Sequence, residues 1–105
     1  VPVMRVDHQV AQKLHAVSEP GSERVRDLVD LQLLDKGEDL DLAQVHATCV
    51  RLFEYRRQQA WPPAIEVVNG WGDLYEAAME DVEVLPDIDA AVAWGNEFIR
   101  RIADA

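Results

Sequence analysis

Apolar residues recur three and four positions apart in five separate runs of this chain, and a capping or breaking residue bounds most of them. That spacing is the buried stripe of an amphipathic helix, so the pattern predicts an all-α fold. The first run covers about residues 7–17, with Val10, Leu14 and Val17 on one face and Asp7 offered as the N-cap. Lys13 falls on a shoulder of that face, and His15 is expected to point more nearly away. Ser18-Glu19-Pro20-Gly21-Ser22 is a turn by composition, and Ser22 is placed to cap a second helix over about 23–35. Val25, Leu28, Val29, Leu31, Leu33 and Leu34 make that helix apolar on most sides. It should therefore sit centrally, with Glu23, Arg26, Asp27 and Asp30 as its polar stripe and Gly37 closing it.

Asp41 and Gln44 form a capping box for a third helix running to about residue 58. Its inner face is Leu42, Val45, His46, Cys49, Val50, Leu52 and Phe53, and Trp61-Pro62-Pro63 blocks continuation. A linker over 60–70 follows, in which Ile65, Val67 and Val68 suit a brief extended stretch. The fourth helix, about 71–81, directs Trp71, Leu74, Tyr75, Ala78, Met79 and Val82 inward. Asp87 caps the fifth, which reaches about residue 103 with Ile88, Ala91, Val92, Gly95, Phe98, Ile99 and Ile102 inside. The expected architecture is an all-α bundle of about five helices, one helical domain over 1–105, with a short N-terminal extended arm over 1–6.

Composition narrows the function classes. A chain of 105 residues, 49% hydrophobic and 29% charged, reads as one folded domain with one modest core. It carries no apolar stretch of membrane-spanning length and no secretory signal pattern, which places it in the cytoplasm and away from membranes. Cys49 is the only cysteine, and its helical companions Leu42, Val45 and Phe53 make it a core thiol rather than a nucleophile. The formal net charge of −10 argues against holding a phosphate backbone by bulk electrostatics. Arg51, Arg56 and Arg57 end one helix and Arg100 and Arg101 another, where they offset the helix macrodipole. The chain starts at Val1 rather than Met, which points to a processed or cut chain with a partner domain upstream.

Two elements carry candidate chemistry. An ammonium among apolar neighbours loses hydration and needs a partner, so Lys13 is a candidate to face a phosphate or activate a hydroxyl. Asp27 and Asp30, three apart, share one helix face and could meet Lys13, with Arg26 four residues before Asp30. The simpler reading of these groups is an ion-pair cluster that pins the first helix to the second. Two carboxylates alone make an incomplete metal site. Of the three histidines, His46 reads as a hydrogen-bonded core residue, and His8 and His15 as members of a solvated face. Gly70-Trp71-Gly72 lacks the lysine and serine of a phosphate-binding loop and suits a tight turn that buries Trp71.

The order Ala11-Gln12-Lys13-Leu14-His15-Ala16, then Arg24-Val25-Arg26-Asp27-Leu28-Val29-Asp30-Leu31, then Trp71-Gly72-Asp73-Leu74-Tyr75 and a last helix with Phe98-Ile99, resembles the C-terminal half of AbiEii/AbiGii-type nucleotidyltransferase toxins of type IV toxin–antitoxin systems in bacterial phage defence. The first two elements resemble that family's third and fourth motifs. The resemblance implies that Lys13 faces nucleotide phosphates, that Asp27 is the active-site carboxylate, and that Asp30 and Arg26 support the helix carrying it. The family carries its Gly-Ser and Asp-x-Asp motifs on an N-terminal sheet that has no counterpart in this helical pattern, which implies that this chain is inactive alone and holds no metal or cofactor. Mg and an NTP are expected for the intact protein. The implied partners are an N-terminal nucleotidyltransferase domain, a cognate antitoxin and, in the intact protein, an RNA acceptor such as tRNA. Apolar surface left by a separated domain could drive self-association. The alternatives from the residues themselves are a non-catalytic acidic helical module that docks a basic partner, and a degenerate transferase that keeps only the fold.

Overall fold

The computed structural model describes residues 5–105. Most of the expected N-terminal arm therefore lies outside the described residues. Five helices follow in order: α1 (Val6–Ser18), α2 (Arg26–Gly37), α3 (Leu42–Arg56), α4 (Trp71–Ala78) and α5 (Ile88–Ala103). There is no strand among the described residues, and the all-α expectation holds.

α1 packs along both α2 and α3, while α2 also meets α4 and α5, which gives α2 the central place its apolar composition implies. Val10, Leu14, Leu28, Leu31, Cys49, Phe98 and Ile102 are fully buried, and Phe53, Trp71 and Tyr75 nearly so. Each such side chain contributes about 1.5–3 kcal/mol by leaving water. α5 approaches closely at Gly95: a Cβ there would stand 2.7 Å from Ile65 Cδ1 and 3.1 Å from Leu28 Cδ2. The absence of a side chain is what lets the linker lie on the helix.

Local chemistry explains where the helices begin and end. Asp41 and Asp87 act as side-chain caps as expected, accepting hydrogen bonds from Gln44 N (3.2 Å) and Ala90 N (2.8 Å). Asp7 and Ser22 do not. α1 starts two residues earlier than a cap at Asp7 would require, with Arg5 at the N-cap, and α2 starts after Val25 with no side-chain cap. Gly37 is the last residue of α2, and the chain leaves through extended Glu38 rather than through a left-handed glycine. α3 instead ends on Arg57 in the left-handed region, φ 55°.

Several residues expected inside are outside. Leu33, Val50 and Leu74 are each more than a third exposed, because α2, α3 and α4 bury narrower arcs than their apolar residues span, and Val82 is exposed because α4 ends at Ala78, before reaching it. The linker makes no sheet. Ile65 instead pairs both of its backbone groups with the side chain of Asn96: its N–H donates to Asn96 Oδ1 (2.8 Å) and its carbonyl accepts from Nδ2 (3.1 Å). Asn96→Ala leaves both groups without that partner. We expect it to lower stability by about 1–2 kcal/mol in urea titrations, with an unchanged helical circular-dichroism spectrum.

A second clamp joins distant segments. Gln32 Nε2 donates to Tyr75 Oη (3.0 Å), Tyr75 Oη donates to the Leu85 carbonyl (2.7 Å), and Leu85 N donates back to Gln32 Oε1 (2.8 Å). The closed ring ties α2, α4 and the loop before α5 together with the polar atoms of Gln32 and Tyr75 satisfied.

Candidate functional site

The α1–α2 corner brings the singled-out residues together. Lys13 Nζ lies 3.0 Å from Asp30 Oδ2 and 3.5 Å from Asp27 Oδ1. The shorter contact is thus with Asp30, the residue expected only to support the helix. Arg26 is a distant contributor, 4.0 Å from Asp30 and mostly in solvent. Asp27, expected to be partly exposed because it shares its side of the helix with Leu31 and Leu34, is 2% exposed. Arg24 approaches its Oδ2 to 3.3 Å, close enough to pair in charge but out of line for a hydrogen bond, so that oxygen has no hydrogen-bond partner. Burial raises the Asp27 pKa above the ordinary carboxylate value, and the charges of Lys13 and Arg24 oppose the shift.

Lys13, Arg24 and Asp27 face a cleft of about 400 Å³ lined also by Gln9, Gln12, Ala16 and Arg56. Three cations and one carboxylate line it, a local excess of positive charge on a chain of net charge −10. Arg56 reaches it from the end of α3, because α1 lies between α2 and α3. The position of Arg56 at a helix end suggested only macrodipole compensation. Nothing in its spacing foretold the cleft, since that depends on how α3 packs across α1. Lys13 has three donors, two of which face Asp27 and Asp30, leaving one for an anion in the cleft.

Asp27 and Asp30 both turn an oxygen to the Lys13 ammonium. No group of three or more His, Cys, Asp or Glu side chains that could hold a metal occurs among the described residues.

The histidines separate. His8 is exposed, whereas His15, expected on a solvated face, is 1% exposed and packs edge-on to Phe53 at 4.9 Å. α1 has neighbours on two sides and buries a wider arc than Val10, Leu14 and Val17 define. Burial, helped by the charge of Arg56, pushes the His15 pKa below its ordinary value. His46 is half-buried rather than core, with Nδ1 3.3 Å from the Ala105 carbonyl oxygen. Cys49 is buried, and its thiol is pushed up to about 12, which keeps it unreactive.

At the other end of α1, Asp7 is buried and accepts hydrogen bonds from Arg5 (2.7 and 3.0 Å) and from the Thr48 hydroxyl. The Arg5 bonds hold its carboxyl well below the usual carboxylate range, against the opposing effect of burial. A depressed folded-state pKa stabilises above the unfolded value and is lost as pH falls toward the folded one. Asp7→Asn should cost about 1–3 kcal/mol at neutral pH, with the gap to the parent narrowing below about pH 4. Urea titrations at several pH values measure it.

No helix among the described residues is long and apolar enough to cross a membrane. No curated protein matches the chain. Residues 1–97 match the family model described as nucleotidyl transferase AbiEii toxin, type IV TA system. That span takes in α1 to α4, the whole Lys13–Asp27–Asp30 cluster and most of α5, and the chain belongs to the AbiEii nucleotidyl transferase toxin family of type IV toxin–antitoxin systems.

Proposed function

We propose that this chain is the helical C-terminal part of a nucleotidyltransferase toxin and contributes Lys13 and Asp27 to a composite site that moves a nucleotide from an NTP to an acceptor, with RNA such as tRNA the acceptor class. The observation that carries the reading is the cation-rich cleft, in which a lysine is held between two helix-borne carboxylates. A triphosphate is the kind of ligand such a cleft suits. Lys13 meets it as a point charge, and the guanidinium groups of Arg24 and Arg56 can bridge two phosphate oxygens. Asp27 and Asp30 orient Lys13. Magnesium and its ligands come from outside the described residues, as does any basic surface that holds the RNA, because the acidic charge of this part opposes it. A cognate antitoxin is the partner that the type IV family implies.

Transfer of a labelled nucleotide to RNA by the full-length protein tests the reading. Lys13→Ala and Asp27→Asn should each reduce kcat/KM by about a hundredfold or more. Arg56→Gln should mainly raise KM, and the distant Lys36→Ala should do neither. Folded Lys13→Ala and Asp27→Asn proteins that keep full activity would leave the pair as a structural pin.

A further inference from the structure

A second groove lies away from that cleft. It holds about 840 Å³ between α4 and the start of α5, with Tyr75, Met79, Pro86 and Ile88 as its apolar lining. Asp73, Glu76, Glu80 and Asp87 stand around it. Its depth depends on Gly72: a Cβ built there would meet only Ile88 Cγ2, at 4.0 Å, so any longer side chain would project into the groove.

The charge pattern says what covers it. From residue 58 to residue 99 the chain contains no lysine or arginine and nine acidic residues: Glu66, Asp73, Glu76, Glu80, Asp81, Glu83, Asp87, Asp89 and Glu97. All eight cations that precede this segment lie at or before Arg57. A nucleic acid is repelled from such a face, and so is the same face of a second copy. We propose that this groove docks a basic segment of a partner protein, one that places a bulky apolar side chain on Met79, Pro86 and Ile88 and flanks it with Lys or Arg facing the carboxylates. The site is independent of the transfer cleft and stands whether or not the nucleotidyl-transfer assignment does.

A synthetic amphipathic peptide of alternating Lys and Leu faces, titrated into the full-length protein by fluorescence anisotropy, serves as the probe. Amide shifts should concentrate at Gly72, Glu76, Met79 and Ile88. Two variants of different kinds should each weaken binding about tenfold: Gly72→Leu, which fills the groove without changing charge, and Glu76→Lys/Glu80→Lys, which reverses its rim. Glu54→Lys/Asp104→Lys, an equal charge change outside the groove, should alter binding less than twofold. Circular dichroism checks that each variant is folded, and all these positions except Gly72, itself exposed, are surface carboxylates. Equal weakening by the outside reversal would reduce the effect to bulk charge and overturn the proposal. Full-strength binding by folded Gly72→Leu, or no binding at all, would do the same. Self-association in sedimentation velocity that Gly72→Leu abolishes would make the occupant a second copy instead.

Discussion

Lys13→Met should lower the stability of the protein by about 2–3 kcal/mol at neutral pH, and adding Asp27→Asn should return most of that loss. Removing one partner of a fully buried ion pair costs about 3–5 kcal/mol, because the other charge is left without compensation. The loss is smaller here for two reasons. Lys13 keeps 26% of its side chain in solvent, and Arg24 stays beside Asp27. Asp27→Asn removes the charge that lacks a partner, so the coupling between the two substitutions should be well outside error in a double-mutant cycle.

The pH dependence of that loss separates the site from the rest of the fold. Burial raises the Asp27 pKa, and Lys13 is the first charge opposing the rise. A carboxyl whose folded pKa lies above its unfolded value binds protons more tightly when folded. Its contribution to stability therefore improves as pH falls from the folded value toward the unfolded one. Lys13→Met extends that window upward, so its stability deficit should shrink on mild acidification. Asp7 titrates in the opposite sense, and an Asp7→Asn deficit persists until the pH is lower. Urea titrations across pH read both. A deficit for Lys13→Met that is independent of pH, or no recovery with Asp27→Asn, would mean that the pair is not coupled. Activity divides the question again, since a double variant that regains stability without regaining transfer places the pair in the chemistry and not only in the packing.

The five helices were legible because each buries a stripe with one period, and the Asp41 and Asp87 caps because an N-cap contact is made within three residues. The meeting of Lys13 with Asp27 and Asp30 was legible for a related reason. A short turn between two helices with apolar stripes forces those stripes together, and the three polar groups sit on their shoulders. What the pattern could not resolve depends on a third element. His15 is buried because α3 covers the side of α1 that α2 leaves open. Arg56 enters the cleft for the same reason. Asp7 looks like a cap in sequence, yet Arg5 and Thr48 capture its carboxylate, and Thr48 is forty-one residues away. Leu74 and Val50 show the converse, an apolar residue at the edge of a stripe with no neighbour to cover it.

Trp71 links the core to the cleft, and its substitutions should separate the two. Trp71→Ala should cost about 3–5 kcal/mol, enough to unfold a domain of this size at modest urea. It removes one of the largest fully buried side chains, 1% exposed, and leaves a cavity where the N-terminus of α4 meets the rest of the bundle. Trp71→Phe should cost less, about 1–2 kcal/mol, because most of the apolar area remains and the main loss is one hydrogen bond. That bond runs from Trp71 Nε1 to the Ser22 carbonyl (2.8 Å). Ser22 in turn donates its hydroxyl to the Ala16 carbonyl (2.7 Å) and accepts from Arg24 N (3.0 Å). The indole thus steadies the turn that delivers Arg24 to Asp27. If Arg24 holds phosphate, Trp71→Phe should raise the KM for the nucleotide about three- to tenfold while leaving kcat nearly intact, since a loosened anchor weakens ground-state and transition-state binding together. Nucleotide titrations of the transfer rate measure that split. A fall in kcat at unchanged KM would mean that the turn acts on the chemical step through Asp27 instead.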